Sequence, residues 1–105
     1  MININQQTIG GVVEEIHYGK EPLPWMAMAV KAGAMVWDRH GKRAQLWTMT
    51  RVVIQGSENV GIYSPLIEEG TKVFAIGQRV PAFSVANAAP FRGDVLLASV
   101  FQLQE

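Results

Sequence analysis

The sequence predicts an all-β domain of about five strands with one short helix after the third. Turn-forming clusters recur along it: Gly10-Gly11, "GKEPLP", "RHGKR", "QGSEN", "EEGT" and "NAAPFRGD". The runs between them are rich in Val, Ile, Met, Trp and Phe, residue types that fit a pleated, half-buried surface. The segment after "QGSEN" departs from that rhythm and spaces its apolar residues as a helix would.

The first strand is read over residues 9–18. The second, residues 25–37, alternates clearly. Its even positions, Met26, Met28, Val30, Ala32, Ala34 and Val36, make an apolar face suited to a core. Its odd positions are mixed, with Trp25, Lys31, Met35 and Trp37 among small residues, and Gly33 in mid-strand points to a bulge or sharp bend. The third strand spans residues 43–54, with Trp47, Met49, Arg51 and Val53 on its odd face. Ser57 is a candidate cap for a short helix carrying Val60, Tyr63, Leu66 and Ile67, which Pro65 keeps short and Gly70 closes. A fourth strand over residues 71–80, the loop "PAFSVANAAPFRG" and a last strand over residues 94–103 complete the chain. Three strands, a short helix and two strands is the element order of a five-stranded Greek-key OB-fold barrel.

A chain of 105 residues makes a single domain over residues 1–105, with an apolar share of 49%. It has no cysteine, so neither a disulfide framework nor a thiol nucleophile is available, which fits a reducing, cytoplasmic setting. The first residues, "MININQQTIGG", do not read as a signal peptide. Apolar runs fall far short of the ~20 residues of a membrane span, so no membrane role is expected.

Formal net charge is zero, but the charges are unevenly placed. Residues 31–51 hold Lys31, Arg39, Lys42, Arg43 and Arg51 against Asp38, net +4. Residues 1–30 and 52–78 each carry net −2. A local positive field can attract an anion even when the whole is neutral. Two indoles bracket the same block in "VWDRHGKRAQLW" (residues 36–47). If strands two and three form a hairpin across it, Trp37, Trp47, Lys31 and Arg51 share one face of the sheet. Such a face stacks flat aromatic ligands and neutralises their charge; the alternative is that the indoles pack inward or against another subunit.

Catalysis and metal binding have no support. His17 and His40 are isolated from carboxylate clusters, Glu14 and Glu15 point to opposite faces of a strand, and Glu68-Glu69 precede a turn. No nucleophile elbow or phosphate-binding glycine loop is present. No metal or other cofactor is expected.

"WTMTRVVIQGSEN" (residues 47–59) followed by "EEGTKVFAIGQ" (residues 68–78) resembles the bacterial single-stranded-DNA-binding OB proteins. The spacing of Trp47, Val52-Val53-Ile54, Gly56 and Glu58-Asn59 is similar to that of their primosomal replication protein N (PriB-like) branch. The resemblance covers most of the chain. It implies an OB fold, homo-oligomerisation as dimer or tetramer, and single-stranded DNA as the partner, with RNA the related alternative. It also implies roles in replication, recombination or repair, with other replication proteins as partners.

By position, the resemblance makes Trp37 and Trp47 stacking aromatics, with Phe83 near a third. Arg39, Lys42, Arg43 and Arg51 become phosphate contacts, joined by Lys31 and Arg79. Phe91 and Arg92 fall at a binding-loop tip, while Trp25 fits stacking or packing equally. The chain departs from the family pattern in having the aliphatic Ile54 where an aromatic is frequent, and two more residues between Trp47 and "RVVIQG" than the tetrameric proteins. It ends at "FQLQE" without their long linker and acidic tip, so a partner-recruiting hub is not expected. The competing reading is a protein–protein adaptor whose aromatic face is an oligomer or partner interface, since Trp and Arg are also typical of interface hot spots.

Overall fold

A computed structural model describes residues 6–21, 23–82 and 93–104. The strands are β1 (Gln6–Gly19), β2 (Trp25–Trp37), β3 (Arg43–Gln55), β4 (Lys72–Pro81) and β5 (Asp94–Gln104), with helix α1 (Ser57–Tyr63) between β3 and β4. They close in the order β1-β2-β3-β5-β4, which is the OB barrel that the element order predicts. β1 begins three residues before the expected start, because Gln6 to Ile9 already pair with β4.

β1 serves two neighbours in turn. Its first half pairs with β4 from Gln6↔Gln78 to Val12↔Lys72, and its second half with β2 from Val12↔Lys31 to Gly19↔Trp25. A register shift between Val13 and Glu15 marks the changeover, where an extra residue bends the strand and helps the sheet curl shut. β3 and β5 complete the barrel as a parallel pair joined at Val52↔Leu96 and Val53↔Leu97.

The inward face gathers Val13, Met26, Met28, Val30, Val52, Ile54, Val73, Ala75, Leu96 and Phe101 into one buried cluster. α1 rests against it through Val60 and Tyr63. Tyr63 meets the Phe101 ring edge-on at 5.0 Å and donates its hydroxyl to the Phe101 carbonyl at 2.7 Å, so the aromatic body is packed and its polar tip satisfied.

Two local expectations are revised. Ser57 is the first helical residue rather than the cap; Gly56 holds the cap position at φ 103, with no side-chain cap bond. Its N–H donates to the Pro24 carbonyl at 2.9 Å, so the cap is fixed by tertiary contact instead of a hydroxyl. Leu66 lies beyond the helix and is exposed, whereas Ile67 turns inward and is buried.

The even face of β2 is core only as far as Val30. Beyond that point β1 no longer accompanies the strand, and β2 and β3 run on as a two-stranded ribbon. Ala34 and Leu46, on the inward-facing side of the alternation, are therefore exposed. Gly33 introduces no bulge here: the β2–β3 register runs unbroken from Trp25↔Gln55 to Trp37↔Arg43.

Candidate nucleic-acid interface

The ribbon ends in a tight turn set by Asp38. Its carboxylate Oδ1 accepts the backbone N–H groups of His40 at 2.8 Å and Lys42 at 2.9 Å, while its own N–H donates to the Lys42 carbonyl. Gly41 supplies the positive φ of 76 that this turn needs, a conformation disfavoured for residues with a Cβ. The acidic residue of the cationic block is thus tied into main-chain bonds, and Arg39, His40 and Lys42 are left exposed around it.

Directly paired residues of adjacent strands share a face. The register Trp37↔Arg43, Met35↔Gln45, Gly33↔Trp47, Lys31↔Met49 and Ala29↔Arg51 therefore places both indoles and three cations on one surface. Trp37 is 70% exposed and Trp47 62%. Each indole has a cation from the opposite strand over its ring: the Arg43 guanidinium carbon lies 5.3 Å from the Trp37 centroid, and Lys31 Nζ lies 4.9 Å from that of Trp47. Such contacts are electrostatic attractions between the ammonium or guanidinium group and the ring face. Trp37 and Gly33, the residue opposite Trp47, are four positions apart on β2, so the indoles stand about 13 Å apart along the ribbon at ~3.3 Å per residue. Met35 and Gln45 fill the row between them.

Lys31 also approaches Glu14, with 4.0 Å between Nζ and Oε1. Glu14 belongs to the bulged stretch of β1. Glu15 instead faces His17 at 3.5 Å, so the two adjacent carboxylates serve different partners. Among the described residues no cluster of His, Cys, Asp and Glu could hold a metal.

The remaining sequence candidates lie elsewhere. Arg79 sits on β4, which neighbours neither β2 nor β3, and its Nε donates to Gln7 Oε1 at 3.2 Å. Phe83, Phe91 and Arg92 fall outside the described residues. Trp25 is 6% exposed and belongs to a second buried cluster with Ala27, Val53, Ala82 and Val95, which resolves its dual reading in favour of packing. Its ring lies against Gly19, and its Nε1 has no hydrogen-bond partner among the described residues. Met35, Gln45 and Met49 belong to the aromatic face but carry no mark in the sequence beyond their parity. Which of them lie between the two indoles follows only from the hairpin register set at Asp38.

This architecture is the closed five-stranded barrel, with a helix between the third and fourth strands, that solved single-stranded-DNA-binding proteins share. The chain is similar to the PriB protein of Ralstonia solanacearum, with a TM-score of 0.72 and 12% identity over 98% of this chain and 100% of that one. It is also similar to the Plasmodium falciparum single-stranded-DNA-binding protein solved with single-stranded DNA (TM-score 0.73, 11% identity, 100% and 98% of the two chains). The small single-stranded-DNA-binding protein of Streptomyces coelicolor gives a TM-score of 0.70 at 16% identity over 99% and 96%. No family model and no curated protein matches the sequence. At these identities the likeness is one of fold.

Proposed function

We propose that the chain is a non-catalytic single-stranded-DNA-binding protein whose strand lies along the outer face of the β2–β3 ribbon. The observation that carries this reading is the pair of exposed indoles, Trp37 and Trp47, on one face, each beside a cation of the opposite strand. Aromatic platforms in a cationic groove bind unpaired strands with little regard to sequence, because every base has a π-face. Arg39, Lys42, Arg43 and Arg51 take phosphates; Lys31 contributes to the same field. Arg79, on β4, lies off this face; Phe83, Phe91 and Arg92, outside the described residues, stay in the proposal only by the resemblance. The fold shared with proteins described as binding single-stranded DNA supports the reading. So does the local charge of +4 in residues 31–51. A single domain acting as a homo-oligomer, dimer or tetramer, in the cytoplasm and in DNA replication, recombination or repair, is part of the same proposal.

Titration with oligo(dT) at two salt concentrations tests it. Intrinsic Trp fluorescence is quenched on binding, and affinity falls as salt rises. Absence of both quenching and a gel shift at low salt overturns the proposal. Tighter binding of oligo(rU) than of oligo(dT) would reassign the ligand to RNA.

A second reading draws on Leu46, which is exposed on the face of the ribbon opposite the indoles. Apolar groups on both faces suit an adaptor that inserts its hairpin against another protein. Loss of oligomers in Trp37→Ala and Trp47→Ala with no change in DNA affinity would favour it.

A further inference from the structure

We infer that Gly33 is a positioning residue for the binding face: its missing side chain is the space over which the ring of Trp47 lies. This inference rests on the proposed role of the β2–β3 surface. Gly33 and Trp47 are direct cross-strand partners. A Cβ built on Gly33 would stand 2.9 Å from Cζ3 and 3.2 Å from Cε3 of Trp47, and it would collide with Nε2 of Gln45. The benzo edge of the indole therefore reaches across from β3 onto β2. There it meets Lys31, whose Nζ lies 4.9 Å from the ring centroid.

The glycine is not there for its backbone. The positive-φ glycines are Gly41, Gly56, Gly70 and Gly93, and Gly33 is not among them. Its conformation is one that any residue adopts in a strand. Glycine in a strand interior weakens the strand, and a close approach by another group is the usual reason to keep it. The flanking positions show what the vacancy achieves. Trp37, opposite Arg43 rather than a glycine, has its cation directly across the ladder. Trp47 instead reaches the diagonal cation, two residues along β2, by crossing the empty site. With Lys31 against one ring face and the indole 62% exposed, Trp47 offers its other face to a base. A side chain at position 33 lifts the ring, separates it from Lys31 and spoils the platform.

Two variants and two readouts test this. Gly33→Val restores a residue that strands favour, so thermal stability holds or rises. Gly33→Ala adds only the Cβ and serves if the valine variant misfolds. In the free protein, the Lys31 side-chain protons carry an upfield ring-current shift from Trp47 in the NMR spectrum, and either substitution removes it. With oligo(dT), the substitution weakens binding about 5- to 150-fold, the loss of one stacked base. In a Trp47→Ala background it has no further effect. A retained ring-current shift, unchanged affinity, or equal weakening with and without Trp47 overturns the inference. Wild-type protein that ignores oligo(dT) overturns the proposed function, while the ring-current shift still decides where Trp47 lies.

Discussion

Trp25 and Trp37 stand at the two ends of one strand and on the same face of it, yet Trp25 is 6% exposed and Trp37 is 70% exposed. The side-chain alternation does not change between them; the number of flanking strands does. From Trp25 to Lys31, β2 runs between β1 and β3 and is part of the barrel wall. From Ala32 onward only β3 accompanies it. Within the wall the even face, Met26, Met28 and Val30, packs into the barrel, and the odd face is covered too, Trp25 and Ala27 packing with Val53, Ala82 and Val95. A two-stranded ribbon leaves both of its faces to solvent. The same residue type thus becomes core at one end and display at the other, because the barrel wall supplies packing partners that the ribbon lacks.

The comparison breaks most readily at Trp25. Trp25→Ala should cost about 3–5 kcal/mol in urea unfolding, the usual range for a buried aromatic emptied to alanine. Its DNA affinity, measured on the fraction still folded, should be unchanged. Trp37→Ala or Trp47→Ala should show the reverse. Stability should stay within ±0.5 kcal/mol of wild type, as for ordinary surface changes, and oligo(dT) affinity should drop by about 1–3 kcal/mol per indole. A Trp47 variant that unfolds early but binds normally would erase the distinction between the two ends. The turn offers an intermediate case. Asp38→Ala removes the acceptor of two backbone N–H groups, and at roughly 0.5–1.5 kcal/mol per bond the ribbon tip should fray, visible as faster amide exchange at His40 and Lys42 with the barrel unaffected. The smallest effect is expected at Glu14. Glu14→Gln frees Lys31 from an exposed ion pair worth about 0–1 kcal/mol, so oligo(dT) affinity at low salt should rise no more than a few-fold.

The element order, the hairpin and the common face of Trp37, Trp47, Lys31 and Arg51 were legible in the sequence, because each depends on local periodicity and turn chemistry. The length of ribbon that clears the barrel was not. It depends on β1 changing partners at Val12, a property of the closed sheet rather than of β2 itself. The bulge or sharp bend expected at Gly33 meets an unbroken β2–β3 register: a strand glycine signals either a bend or a close approach, and only the cross-strand partner separates them. Ser57 matched the residue type of a helix cap, but Gly56, held by Pro24 from a distant turn, occupies that position. The fate of Trp25 depended on a packing cluster assembled from β2, β3, β5 and Ala82 just past the end of β4.

The parallel seam between β3 and β5 has a consequence for how the chain assembles. β2 and β3 are joined by a five-residue connection, so their ladder can zip from the turn outward at little cost in chain entropy. The seam joins Val52 to Leu96 and Val53 to Leu97, residues far apart in sequence, across two register positions. Contacts of that span are slow to form. The ribbon with both indoles can therefore take shape before the barrel shuts, and closure waits on the long-range ladders, β3 with β5 and β1 with β4. In denaturant the two-position seam is expected to part while the longer β2–β3 ladder is still paired.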